Sequence, residues 1–186
     1  MSTKVYIKNM VCPRCIATVK KDMENLGYHI IDIKLGEVEV EENVDYHKLK
    51  SVLQHSGFDI IEDKNTQLVN AIKTEIINIV HHSDILPTQK LSTILTDKLS
   101  YEYNTLSHVF SAQEGLTIER FYILQRIEKV KEYLEYNQLS LKEIAFKLGF
   151  SSIAHLSAQF KKETGLSPKQ YKELGLSDRK PIHQVY

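Results

Sequence analysis

The alternation of apolar and polar positions changes period several times along this chain, and each change predicts an element. Lys4-Val5-Tyr6-Ile7-Lys8 is a short β-prone run. From Cys15 onward Val19, Met23 and Leu26 share one helical face, while Lys20, Lys21, Asp22 and Glu24 stay on the other, and Gly27 ends the helix. Ile31, Ile33 and Leu35 then alternate as in a half-buried strand, and Gly36-Glu37 turns the chain into Val38-Glu39-Val40-Glu41. A second amphipathic helix presents Tyr46, Leu49, Val52 and Leu53 inward and stops near Gly57, before a last strand, Phe58 to Ile61. The order βαββαβ predicts a ferredoxin-like sandwich over residues 1–63.

Beyond it, residues 64–67 (Lys-Asn-Thr-Gln) read as a polar joint, and Leu68 to Val80 as a helix with Leu68, Ile72, Ile76 and Ile79 at helical spacing. His81 and His82 at its end suit the negative pole of the helix dipole. An internal repeat follows. Leu106, Phe110, Gly115 and Leu116 recur as Leu156, Phe160, Gly165 and Leu166, always 50 residues on. Ahead of the second copy, Leu141, Ile144, Ala145 and Leu148 form the buried face of a short helix, and Gly149 makes a sharp turn, which is a helix-turn-helix pattern. The first copy, from Leu91 to Leu99, has the same layout with Ser100 in place of the glycine. A long helix, about Ile118 to Tyr136, joins the two. The expected class is α+β: a sandwich at residues 1–63, a linker at 64–67, an all-α domain with two helix-turn-helix units at 68–175, and a tail at 176–186.

Composition narrows the function. With 42% hydrophobic and 26% charged residues the chain has the make-up of a soluble globular protein. No apolar run reaches membrane-spanning length, and Met1-Ser2-Thr3-Lys4 leads into a strand without a secretory core, so the cytoplasm is the expected compartment and no membrane partner is expected. The net charge of zero conceals an asymmetry. Eight Lys/Arg face eleven Asp/Glu in residues 1–63, a net −3, and sixteen face thirteen in the remainder, a net +3. Polyanion binding therefore belongs to the second half. No nucleophile with a base, phosphate loop or pair of acids at useful spacing is present, so an enzyme is not expected.

The two cysteines, Cys12 and Cys15, sit three apart at the first strand–helix junction. In a reducing compartment such a pair serves as a ligand set or a redox switch rather than a structural staple. Two thiolates without a neighbouring histidine suit two-coordinate Cu(I), or the similar Ag(I) and Hg(II). Zn(II) suits them less, because its structural sites take four ligands. Cys15 in the first helical turn is expected to have a lowered thiol pKa, from the dipole and free amides, and Met10 is expected to be a buried plug under the loop. The run Met10-x-Cys12-x-x-Cys15 after the first strand, the Gly36 turn and Ser56-Gly57-Phe58 resemble the heavy-metal-associated domain of small copper chaperones. The resemblance spans roughly residues 3–63. It implies a copper site at Cys12 and Cys15, in keeping with Val11, where zinc-handling relatives often carry an acid. Asn9 departs from it, since the family usually has glycine there. A thiol redox pair and a docking or dimerisation platform remain open beside the metal reading.

The two helix-turn-helix units, with Phe160-Lys161-Lys162-Glu163-Thr164-Gly165-Leu166-Ser167-Pro168 followed by Tyr171, resemble the DNA-binding domain of AraC/XylS regulators. This resemblance spans roughly residues 68–175 and implies two recognition helices about 34 Å apart, entering successive major grooves of an operator or promoter. By position in the family's helices, the base-edge candidates are Asn104, Ser107 and His108, then Ser152, Ile153, Ala154, His155 and Ala158. Asn104 suits adenine, and Ala or Ile suits thymine methyls. Lys161, Lys162 and Lys169 are candidates for phosphate, with a solvated helix face as the plainer reading of each. RNA polymerase and a second copy of the chain are the protein partners such a regulator implies. The whole reads as a metal-responsive transcription regulator.

Overall fold

The computed structural model describes residues 2–83, 89–175 and 179–185. Its first elements are β1 (Thr3–Lys8), α1 (Pro13–Asn25), β2 (Ile30–Lys34), β3 (Glu37–Val40), α2 (Tyr46–His55) and β4 (Asp59–Ile60). The expected βαββαβ order is present, and the four strands form one sheet in the order β2-β3-β1-β4, antiparallel at each pairing. Val5 and Ile7 of β1, Val38 and Val40 of β3, Val19 and Met23 of α1, and Leu49 and Leu53 of α2 close the core between sheet and helices. Burying each such side chain is worth about 1.5–3 kcal/mol.

Two inward positions differ from the sequence pattern. Ile30 pairs with Val40 and Asp32 with Glu39, so Ile31 is the extra residue of a β-bulge and lies 53% exposed. The bulge moves Ile30, rather than Ile31, toward the core and breaks the simple alternation. Tyr46 is exposed because it is the first residue of α2, ahead of the turn that packs; Leu49 and Leu53 carry that face.

Residues 64–67 are not a joint but the first turn of α3 (Lys64–His81). Asp63 starts that helix: its carboxylate accepts the Thr66 amide at 2.7 Å and hydroxyl at 2.8 Å, and its carbonyl accepts the Gln67 amide. The chain forms two compact units that part within α3, between Thr74 and Glu75.

The second unit continues with α4 (Leu91–Leu99), α5 (Tyr103–Glu114), α6 (Ile118–Tyr136), α7 (Leu141–Lys147), α8 (Ile153–Thr164) and α9 (Pro168–Glu173). The repeat is structural. Helices α5 and α8 are each 12 residues long and begin 50 residues apart. Each ends on a left-handed glycine, Gly115 and Gly165. Leu106, Phe110, Leu156 and Phe160 are fully buried. Phe110 meets Phe121 of α6 at 5.6 Å, and Phe160 meets Tyr171 of α9 edge-on at 5.4 Å. Ser100 adopts the left-handed conformation that its place in the turn demands (φ 58°), as Gly149 does in the second unit (φ 63°). The second turn is one residue longer, three residues instead of two standing between the left-handed residue and the next helix. Ser140 and Ser167 form capping boxes with Glu143 and Gln170, which fix the starts of α7 and α9.

Of the expected tail, residues 176–178 and 186 lie outside the described residues, and residues 179–185 pack back on α6. Arg179 pairs with Glu132 and Glu135, the Lys180 amide donates to Glu128, and Gln125 donates to the Ile182 carbonyl. Gln125, fully buried, also accepts from His81 Nε2 at 2.8 Å. His81 is therefore no charged helix terminus: burial pulls its pKa down to about 4. Among the described residues, no helix is long and apolar enough to cross a membrane.

Candidate nucleic-acid interface and thiol pair

In the first unit the loop between β1 and α1 is held from both sides. Asn9 takes a left-handed conformation (φ 69°), the one that asparagine tolerates best after glycine, and its amide donates to the Gly57 carbonyl. Met10 is buried beneath it, as the sequence predicts. Cys12 is the N-cap of α1, Pro13 follows at its first position, and Cys15 lies one turn in. The two sulfurs are 2.8 Å apart, hydrogen-bonded to each other and half-buried. The Cys15 thiol is raised rather than lowered: burial is the largest cause, and the Cys12 hydrogen bond adds to it. At this site desolvation outweighs the helix terminus.

The residues present fit a soft two-coordinate cation. Among the described residues no third His, Cys, Asp or Glu ligand atom joins the thiols; the one group of three that lies close together is His29, Glu41 and Glu42. Cys12 and Cys15 would hold Cu(I) through their sulfurs, which would shed their protons to bind it.

In the second unit the base-edge candidates gather on the N-terminal halves of two matching helices. Asn104 and His108 of α5 are exposed, and Ser107 is half-buried. Ser152, Ile153, Ala154, His155 and Ala158 are all exposed at the start of α8. Ser152 is also the N-cap of α8, its hydroxyl accepting the His155 amide at 3.0 Å. Lys161 and Lys162 are exposed in the last turn of α8, about 12 Å along the axis from its start. Lys169 is exposed and pairs loosely with Glu173 at 3.8 Å.

No local sequence pattern marks what fixes these helices to α6. Tyr103, the first residue of α5, donates its hydroxyl to Glu119, and Arg120 donates to Glu163 of α8. Adjacent residues in the first turn of α6 thus tie down α5 and α8 separately. Glu163 is almost wholly buried and also accepts from Gln159. The partners lie 16 and 43 residues apart, so no local pattern reveals them.

Two short helices flanking a left-handed turn, present twice on one connecting helix, define a paired helix-turn-helix module. Residues 95–174 match the model of the helix-turn-helix domain family. The chain is similar to the HTH-type transcriptional activator RhaS of Escherichia coli, 30% identical over 79 residues that cover 42% of this chain and 28% of that protein. It is also similar to the uncharacterised HTH-type transcriptional regulator YtdP of Bacillus subtilis, 24% identical over 157 residues, covering 78% of this chain and 20% of that protein. The chain thus spans between a fifth and about three-tenths of the length of these relatives. The C-terminal domain of AraT, a response regulator from Geobacillus stearothermophilus, shares the fold at a TM-score of 0.52 and 24% identity, covering 66% of this chain and 98% of that one.

Proposed function

We propose that the chain is a sequence-specific, AraC-type DNA-binding transcription regulator whose occupancy of its operator responds to a soft metal ion, Cu(I) foremost, at Cys12 and Cys15. The observation that carries the DNA reading is the pair of equal helices 50 residues apart. Each presents small polar and apolar side chains at its exposed N-terminal half, while its Leu-Phe pair is sealed in the core. That division of labour is what a recognition helix needs: one face fixed, the other free to enter a major groove. Asn104, Ser107 and His108 of α5 and Ser152, Ile153, Ala154, His155 and Ala158 of α8 face base edges, and Lys161, Lys162 and Lys169 contact phosphates. The similarity to RhaS, named as a transcriptional activator, supports the same reading.

For the metal, support comes from the βαββαβ order with the thiols at the β1–α1 junction, the resemblance to heavy-metal-associated domains, and a ligand set of two soft sulfurs with no hard third partner. The mutual contact of the two free thiols favours one further reading, a reversible Cys12–Cys15 disulfide as the signal.

One experiment separates these. Binding of the reduced protein to the DNA upstream of its own operon is measured anaerobically, with and without Cu(I) buffered by a chelator, and again after mild oxidation, for the wild type and a Cys12→Ser, Cys15→Ser variant. A metal sensor changes affinity on Cu(I) only with both thiols intact, and a redox sensor changes on oxidation alone. Binding that ignores sequence reduces the second unit to a polyanion binder, and occupancy indifferent to metal, oxidant and thiols removes the switch.

A further inference from the structure

We infer that His155 is the specificity-determining residue of the second reading helix, held as a rigid hydrogen-bond donor for guanine by Ser151, Phe150 and Arg126. The inference rests on the DNA-reading function proposed above and assigns its sequence discrimination to one side chain.

The geometry is layered outward from α6. Arg126 lays its guanidinium over the ring of Phe150, with Cζ 3.8 Å from the centroid, and Tyr122 stands 5.4 Å away. The Arg126 Nε and Nη2 atoms are buried without hydrogen-bond partners, and among the described residues no carboxylate forms an ion pair with it. This cation is therefore held by aromatic stacking rather than by an ion pair. Phe150 is the buried residue that follows the Gly149 turn, in the turn that is one residue longer than its counterpart, and its amide donates to the Ala145 carbonyl. Its ring in turn takes the His155 imidazole edge-on, at 5.5 Å and 83°. Ser151 closes the arrangement: its hydroxyl lies 3.0 Å from His155 Nδ1.

An exposed histidine on a helix surface ordinarily samples several rotamers and gives up that freedom on binding. His155 gives up little, because one ring face edge and one ring nitrogen are already engaged. In the tautomer we assign, the Ser151 hydroxyl donates to Nδ1 and Nε2 carries the ring proton, with no partner for Nε2 among the described residues. Nε2–H is then a single, aimed donor on an exposed residue of the first turn of α8. In the major groove guanine alone offers two adjacent acceptors, N7 and O6, while cytosine presents a donor that would oppose Nε2–H. The preferred partner is a guanine, and its exchange for cytosine is the costly substitution. The first helix-turn-helix has no equivalent device, since the position 50 residues earlier is Thr105. The second helix-turn-helix therefore carries the sharper base preference.

The test begins by enriching preferred duplexes from a randomised library with the full-length wild type. Binding to the enriched site, to each single-base-pair variant and to unrelated DNA is then measured at fixed salt. We expect one G·C pair whose reversal to C·G weakens wild-type binding about ten-fold or more. His155→Ala flattens preference at that pair alone, with affinity for unrelated DNA unchanged. Ser151→Ala, a surface change safe for folding, lowers the same ratio part-way, as does Phe150→Leu where its circular dichroism matches wild type. A merely structural role would weaken specific and unrelated DNA together and leave the ratio intact. The inference is overturned if His155→Ala leaves every base preference as it was, or lowers affinity for all DNA equally. A wild type that enriches no sequence overturns the DNA-reading function itself, a distinct outcome.

Discussion

Protonation of His81 should measurably destabilise the second unit well above the pH at which its carboxylates titrate. The imidazole is buried, donates Nε2–H to Gln125, and leaves Nδ1 buried without a partner, so folding holds it neutral, with a pKa of about 4 against 6.5 when unfolded. Between those values the unfolded chain binds the extra proton and the folded one does not. Stability from this group is therefore complete above about pH 6.5 and falls as pH drops toward 4. Linkage gives a loss of about 1 kcal/mol between pH 7 and 5.5, growing to about 3 kcal/mol by pH 4. The other histidines and the carboxylates titrate too, so the informative quantity is a difference from His81→Gln, which keeps an amide donor for Gln125 and cannot be protonated. Urea denaturation of the full chain, followed through the amide signals of Ile127 and Val130 on α6, isolates the second unit from the first. The wild type should lose about 1 kcal/mol more than the variant between pH 7 and 5.5. Parallel stability curves for the two proteins would refute the buried neutral histidine.

Other substitutions check other joints. Gly36→Ala should cost about 2 kcal/mol, against about 1 kcal/mol for Gly27→Ala: both glycines have positive φ, but a Cβ at Gly36 would lie 2.9 Å from Asn70 Nδ2 and 3.1 Å from Thr74 Oγ1, while Gly27 has open space. The surplus should shrink in an Asn70→Ala background, as urea denaturation will show. Phe160→Ala should cost about 3–5 kcal/mol and abolish DNA binding, whereas Ile153→Ala, at an exposed position 43% accessible, should move stability by less than about 0.5 kcal/mol; thermal denaturation with a binding assay separates them. Asn9→Gly should leave both stability and Cu(I) uptake near wild type, while Asn9→Val should destabilise by more than about 1 kcal/mol, because a β-branched residue resists the left-handed conformation.

Much of this architecture was legible in the sequence because it depends on local periodicity. The helix expected at Ile118–Tyr136 occupies those residues, and the 50-residue offset of Leu106, Phe110 and Gly115 reappears as two 12-residue helices that each end on a left-handed glycine. The strand at Ile31 misled, because a bulge is set by the partner strand and leaves no mark on simple alternation. The start of α3 was missed because Lys64-Asn65-Thr66-Gln67 is polar enough to pass for a linker, although Asp63 ahead of it is a cap signal. The reversed shifts of Cys15 and His81 share one cause: sequence position gives the helix terminus, but burial, which dominates both, depends on packing from distant segments. The thiol pair and the exposed faces of α5 and α8 were visible as motifs, whereas the groups that orient them were not.

Those orienting groups change what the second unit can be. Neighbouring residues Glu119 and Arg120 bind Tyr103 of α5 and Glu163 of α8, so both reading helices are referred to a single turn of α6. Two independent readers would each need their own affinity, and these surfaces offer little of it: no arginine lies on either helix, and the exposed cations of α8 are Lys161 and Lys162 at its far end. With a net charge of only +3 over residues 64–186, counterion release supplies a modest share of binding. On the DNA reading proposed above, the fixed separation of the two helices selects duplexes of the right groove spacing, and His155 adds the base preference within the second half-site. Under that reading, rigidity and a few aimed hydrogen bonds carry specificity together, and small changes at the α6 turn should alter site choice more than general affinity for DNA.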